Sequence, residues 1–137
     1  MSAPNSQNKY LMSPQLSTAA GLIIVALLGG LGPEYPIDGS AGSSWHFLLT
    51  HPTELLHATL GVALLCHIAV HAAKSRWQVL PVLTLVGASI SVCCGIAFVT
   101  ERTEILLVGM SVGWLVALTA VIIEHFKLRK NGATKRK

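Results

Sequence analysis

Four long apolar segments, separated by short polar stretches, dominate the pattern of the chain. They run from 16 to 31, 55 to 73, 79 to 99 and 105 to 123, and none contains Asp, Glu, Lys or Arg. Because a helix rises about 1.5 Å per residue, about 20 residues cross a hydrocarbon core of about 30 Å. The last three segments meet this length, and the first comes close when it is extended back to Pro14. The pattern predicts transmembrane helices at about 14–31, 53–73, 78–100 and 104–126.

The connections and charges predict how these helices are arranged. The connections at 74–78 and 100–104 are tight, so consecutive helices should be antiparallel neighbours. Every Lys and Arg except Arg102 lies before the first segment, between the second and third, or after the fourth. The positive-inside rule then puts both termini in the cytoplasm, with an external loop at 32–52 and a basic tail at 127–137. We therefore expect an all-α integral membrane protein: one four-helix bundle, up-down-up-down, in a cytoplasmic-type cell membrane.

Composition supports this class and excludes others. Of the 137 residues, 52% are hydrophobic and only 12% are charged, and the mean hydropathy is +0.60. An ordinary soluble domain has about 25% charged residues, so the excess apolar surface should face lipid. The net charge of +4 comes from residues at the ends of apolar runs, and a nucleic-acid partner is therefore not expected. A cleaved signal peptide is the competing interpretation of the first segment, but no small-x-small cleavage site follows Leu31.

Two further patterns concern the loop and the helix contacts. Residues 45–49 form an apolar patch at the end of the external loop, which predicts a short helix at the membrane interface. Small residues recur at spacings of four in the third and fourth segments, at Gly87, Ser91, Gly95, Gly109 and Gly113. In lipid such residues let helix backbones approach closely, so they predict contacts between these helices. Residues 131–137 are expected to be a flexible basic end.

The histidines are the strongest functional signal in the chain. Three of the six, His57, His67 and His71, lie in the second segment, and an ionisable residue inside a membrane helix usually has a function. Fourteen positions separate His57 from His71, which leaves them about 40° from a whole number of turns and about 21 Å apart along the axis. They therefore share a face. His67 lies about 40° from His71, and Gly61 beside this face leaves room for a flat ligand.

A transmembrane helix with two histidines and thirteen residues between them resembles the haem-bearing helices of membrane b-type cytochromes. The resemblance covers this helix alone and implies that His57 and His71 are axial ligands of haem b. In that family a second imidazole completes each site, but the other three segments contain no internal histidine. The missing partners would be His125 near His71 and either His46 or His51 near His57, with His67 as a further candidate. Otherwise they come from another chain, through a homodimer or a larger complex.

Two other sets of ionisable side chains indicate alternatives to a haem site. His51, Glu54 and His57 lie at the outer boundary and have ligand types that suit Zn, Cu or Fe, although about 120° of helix rotation separates the two histidines. Glu124 is expected to reach water at the inner boundary; a proton relay between Glu124 and His125 is the alternative. The three cysteines are expected to be packing residues.

The sequence thus supports several functions. The first hypothesis is a small membrane subunit of a respiratory-type redox complex, which binds haem b and exchanges electrons with quinone. The alternative is a cofactor-free accessory subunit that stabilises a larger membrane complex, in which the histidines only bond to carbonyl or hydroxyl groups of neighbouring helices or subunits. A proton or metal transporter ranks below both, since the chain has neither a broken helix pair nor an inverted repeat. Nothing indicates a catalytic domain, so a non-catalytic subunit of an oxidoreductase is expected.

Overall fold

The chain folds into helices. The computed structural model describes residues 13–32, 41–101 and 103–134, and no strand occurs in these ranges. The helices are α1 (Pro14–Leu31), α2 (Ala41–Thr50), α3 (Pro52–Lys74), α4 (Val79–Glu101) and α5 (Glu104–Thr134). All except α2 are long and apolar enough to cross a membrane. The prediction of four apolar helices is confirmed, and these helices indicate a multi-pass membrane protein in a lipid bilayer.

The observed helix boundaries differ from the predicted ones chiefly at the end of the chain. The ends of α3 and α4 differ from prediction by one residue, but α5 continues to Thr134 instead of ending at 126. Lys, Leu and Arg are good helix formers, so the basic residues 127–130 continue the helix and the predicted end is too early. Residues 131–134, expected to be flexible, belong to the same helix.

Local sequence explains where the helices begin and turn. Ser13 caps α1, since its side chain accepts a hydrogen bond from the backbone N–H of Leu16 at 3.3 Å, and Pro14 follows at the first helical position, where its fixed φ is favourable. Pro52 also occupies the first helical position of α3, although His51 before it makes no side-chain cap. Between α3 and α4, Arg76 and Trp77 both have positive φ, 54° and 58°. These two left-handed residues reverse the chain within a few positions.

The short helix predicted at the end of the external loop is present as α2. It covers the apolar patch at 45–49 and packs against α3 and α4. Its position at a membrane interface stays a prediction, and residues 33–40 of the loop lie outside the described part of the chain. We call the end of the bundle near α2 the α2 end, and the end that contains the last turns of α3 and α5 the tail end.

All four long helices contribute to one core. Leu22 of α1, Ile68 of α3, Ala88 of α4, and Ala117 and Val121 of α5 form a single cluster, and each is at most 5% exposed. The indole N–H of Trp114 donates a hydrogen bond to the backbone carbonyl of Leu22 in this cluster.

The most extensive helix interface joins α4 to α5. A Cβ added at Gly87 would lie 2.6 Å from the carbonyl oxygen of Gly113, and a Cβ added at Gly113 would lie 2.6 Å from the carbonyl oxygen of Gly87. The backbones touch at this pair, and only glycine fits at either position. Farther along, a Cβ at Gly109 would meet the sulfur of Cys94 at 2.8 Å. These contacts are the ones that the spacing of small residues predicts.

The outer faces of the long helices remain apolar. Side chains such as Leu27, Ile96, Val108 and Leu115 are more than half exposed. Such faces are favourable in hydrocarbon, because apolar side chains surrounded by lipid are not exposed to water. The same solvent requires every backbone group to be hydrogen-bonded within its helix.

Candidate functional site

The three histidines of α3 have different surroundings. His57 and His71 are half-buried, and each makes a hydrogen bond to another helix. His67 is exposed and lies among residues that face the membrane. The face shared by His57 and His71 is therefore the one turned toward the bundle.

His57 is held by the backbone of α1. Its Nδ1 lies 2.8 Å from the carbonyl oxygen of Val25, and because a carbonyl only accepts, Nδ1 must carry the proton and donate it. In the neutral ring Nε2 then has the free lone pair. Gly29 allows this approach, since a Cβ there would lie 2.7 Å from Cε1 of the imidazole.

The ring of His57 lines a cavity of about 570 Å³ near the α2 end. This is within the range of about 300–1,000 Å³ typical of small-molecule sites. All four long helices contribute to the wall, which is mostly apolar. The wall contains both glycines and large side chains, among them Gly61, Gly95, Phe98, Met110 and Trp114. The indole of Trp114 is fixed by its N–H, which donates to the carbonyl of Leu22 at 2.9 Å.

Glu54 is the acidic residue of this cavity. It lies in the first turn of α3, where the helix dipole favours a carboxylate, and it is only 6% exposed. The carboxylate fills the space beside Gly32 that a Cβ at that position would need. Gly32 therefore permits an acidic side chain to be buried beside the end of α1.

A second polar cluster lies at the tail end. Oε1 of Glu124 accepts hydrogen bonds from Nε2 of His71 and from Nε2 of Gln15, both at 3.0 Å. Glu124 is 7% exposed, and its Oε2 is buried with no hydrogen-bond partner among the described residues. One carboxylate thus connects α1, α3 and α5, with unused acceptor capacity.

The inward position of Glu124 corrects the expectation that this side chain reaches water. It continues the buried face of α5, which runs through Gly113, Ala117 and Val121 at helical spacing. This spacing is visible in the sequence and predicts an inward position for Glu124, whereas its nearness to the membrane boundary does not. Gln15, the other partner, was not predicted; nothing in the apolar pattern of α1 distinguishes it.

The remaining candidate histidines do not approach His57 or His71. Nδ1 of His125 lies 3.4 Å from the hydroxyl of Ser13. The side chain that hydrogen-bonds to His71 is that of the neighbouring residue, Glu124. His46 is exposed on α2. Neither His46 nor His51 lines the cavity at His57.

His51 is turned toward α2 instead. Its Nδ1 donates to the carbonyl of Phe47 at 2.9 Å, and its ring stacks on the Phe47 ring with centroids 3.8 Å apart. Within the described ranges no group of three His, Cys, Asp or Glu side chains is arranged to hold a metal ion. The hypothesis of a metal ion held by His51, Glu54 and His57 therefore has no support there, as the rotation between the histidines indicates.

Comparisons of the chain with protein-family models, curated protein sequences and solved structures gave no match. The function is therefore argued from the side chains themselves.

Proposed function

We propose that this protein is a small membrane subunit of a respiratory-type redox complex, which binds haem b at His57 and takes part in electron transfer to or from quinone. The observation that carries the proposal is the bond from Nδ1 of His57 to the carbonyl of Val25 beside a large cavity. A histidine that ligates a metal commonly donates its other ring N–H to a carbonyl, which fixes its tautomer and orientation. Haem iron is commonly held by such an imidazole.

The cavity wall suits a flat and mostly apolar group. Gly30 and Gly61 present backbone instead of side chains to the cavity, and a Cβ at either would meet at most one side-chain atom, at 4.0 Å, so a planar ring system can approach closely. Phe98 and Trp114 add aromatic surface, and large aromatic faces stack favourably on conjugated rings. The residues present therefore fit the cofactor.

The geometry favours one haem, at the α2 end. His71 lies at the other end of α3, and its Nε2 is already bonded to the buried Glu124 carboxylate. That bond accounts for an imidazole at this position without a cofactor. We therefore propose His57 as the iron ligand and His71 as part of the contact between helices.

The arrangement in the membrane is part of the proposal. The contact between His71 and Glu124 brings the ends of α3 and α5 together, so Lys74 and Arg76 lie at the same end as residues 127–130. By the positive-inside rule this end is cytoplasmic. We infer an up-down-up-down bundle with both termini in the cytoplasm, in the cell membrane, beside other subunits or a second copy.

When bound, haem b would supply a centre that carries one electron at a time. The chain's own residues bind and orient the cofactor: His57 binds, the Val25 carbonyl fixes the imidazole, and the apolar wall excludes water.

The test is a visible spectrum of the full chain, purified in detergent from haem-replete cells. We expect a reduced-minus-oxidised b-type difference spectrum in the wild type, and its loss in His57→Leu. His67→Leu is the matched control, because His67 lies on the same helix but is exposed, and it should retain the spectrum. His71→Leu should also retain it if the single site is at His57.

A colourless wild type that also fails to bind added haemin would overturn the proposal. That result would favour the alternative function, a cofactor-free accessory subunit of a larger membrane complex. Loss of the spectrum in His71→Leu, with His57→Leu unchanged, would move the site to the tail end.

A further inference from the structure

Helices α3 and α5 face each other across the bundle. Within the described ranges their backbones are not in contact, and each helix packs instead on α1 and α4. Gly21 approaches Leu64, and Val25, farther along α1, bonds to His57, which is earlier in α3. Helices α1 and α3 are therefore antiparallel. The same holds for α5, since Gln15 bonds to Glu124, whereas the carbonyl of Leu22 accepts from Trp114. Thus α3 and α5 run in the same direction.

The contact between His71 and Glu124 fixes the register of these two helices. Their side chains are joined by a hydrogen bond of 3.0 Å, so the two residues lie level and point toward each other. Moving back fourteen positions along either helix covers about 21 Å and rotates the face by the same angle. On α3 this step leads from His71 to His57, and on α5 it leads from Glu124 to Met110. Met110 therefore stands opposite His57.

Met110 and His57 line the same cavity, as this register requires. The Met110 sulfur lies on the α4 side of the cavity, 3.5 Å from the position that a Cβ on Gly95 would take. His57 is the only histidine among the described residues of the wall. A second imidazole, which the resemblance to b-type cytochromes implies, does not line this cavity in the described ranges, whereas the thioether of Met110 does.

We propose that Met110 would hold the iron of the proposed haem together with His57, through its thioether sulfur. This inference rests on the proposed haem site and deepens it. Methionine and histidine together form an established pair of haem ligands, and this pair raises the reduction potential. The flexible, unbranched Met110 side chain can adjust its sulfur to a ligand between the helices. The site would therefore be a comparatively oxidising centre.

The test compares axial ligation in four forms of the full chain: wild type, Met110→Leu, Met110→His and His57→Leu. The probes are haemin itself, the paramagnetic resonance spectrum of the ferric protein, and the midpoint potential. We expect a low-spin wild type, a high-spin Met110→Leu that keeps its haem, and a low-spin Met110→His with a lower potential. Val108→Ala, at an exposed position of the same helix outside the cavity wall, should keep the low-spin spectrum.

The outcomes separate this inference from the proposed function. A wild type that binds no haemin overturns both. A haem-loaded wild type that is already high-spin, or a Met110→Leu variant with unchanged spin state and potential, overturns only the role of Met110. If Met110→Leu loses haem altogether, Met110→His decides: recovery of low-spin haem supports the inference, and failure to recover it overturns the inference.

Discussion

The backbone contact between α4 and α5 gives a quantitative prediction for Gly113→Ala. The new Cβ would lie 2.6 Å from the carbonyl oxygen of Gly87 and 2.7 Å from the backbone nitrogen of Ser91. Both are backbone atoms, so no side-chain rotation relieves the overlap. The helices must separate by about 0.8 Å to reach the 3.4 Å of ordinary contact.

The energy follows from that separation. A gap of about 0.5–1 Å loses about a quarter to a half of the dispersion energy of each contact across the interface. Overpacking of this kind costs about 1–3 kcal/mol. Alanine offsets about 0.5–1 kcal/mol of this, because glycine is the poorer helix former. We expect Gly113→Ala to lower the free energy of unfolding by up to about 2.5 kcal/mol, with a mid-range loss of about 1 kcal/mol.

The assay is denaturant unfolding of the detergent-purified protein, followed by far-ultraviolet circular dichroism. Gly30→Ala is the matched control, because a Cβ there meets no heavy atom within 4 Å. That variant should be as stable as the wild type or slightly more stable. If Gly113→Ala proved as stable as Gly30→Ala, the close backbone approach of α4 and α5 would be refuted.

Three further substitutions test other contacts by the same unfolding assay. Trp114→Phe removes the indole N–H that donates to the carbonyl of Leu22, and should cost about 0.5–1.5 kcal/mol. Glu124→Ala leaves the imidazole of His71 without its acceptor and should cost about 1–3 kcal/mol, whereas Glu124→Gln, which keeps one acceptor oxygen, should cost less. Arg76→Gly relieves a positive φ and should stabilise the protein by up to about 1 kcal/mol.

The substitutions at Trp114 and Glu124 each have a control in the same chain. Trp77→Phe alters an indole that is 63% exposed, and Glu101→Ala removes an exposed carboxylate; both should change the unfolding free energy little. Equal costs for Trp114→Phe and Trp77→Phe would contradict the hydrogen bond to α1. Equal stability of Glu124→Ala and Glu101→Ala would contradict the buried position of Glu124. Destabilisation by Arg76→Gly would show that the left-handed turn stores no relievable strain.

The helices could be predicted because membrane thickness imposes a length on every apolar segment. This constraint located all four long helices from hydropathy alone, and loop composition located α2. It failed at the end of α5, since a helix that has left the hydrocarbon continues while its residues favour helix. Charge marks a membrane boundary, but it does not mark a helix end.

The candidate site could be predicted only in part. Helical periodicity put His57 and His71 on one face, and the structure turns that face toward the bundle. Their partners depend on packing: His57 bonds to a backbone carbonyl, which every residue has, so no sequence pattern identifies Val25. The partner of His71 is an acid, Glu124, where an imidazole was expected. Relative helix register decides such pairs, and hydropathy carries no information about it.

The glycine contact between Gly87 and Gly113 has a consequence for how the protein matures. The α4–α5 hairpin has the largest interface of the molecule and would insert as a stiff preformed unit, while α1 and α3 join it through smaller interfaces. Separating α1 or α3 from the bundle would break fewer contacts than opening the α4–α5 hairpin. We therefore expect the hairpin to be the last part of the bundle to come apart.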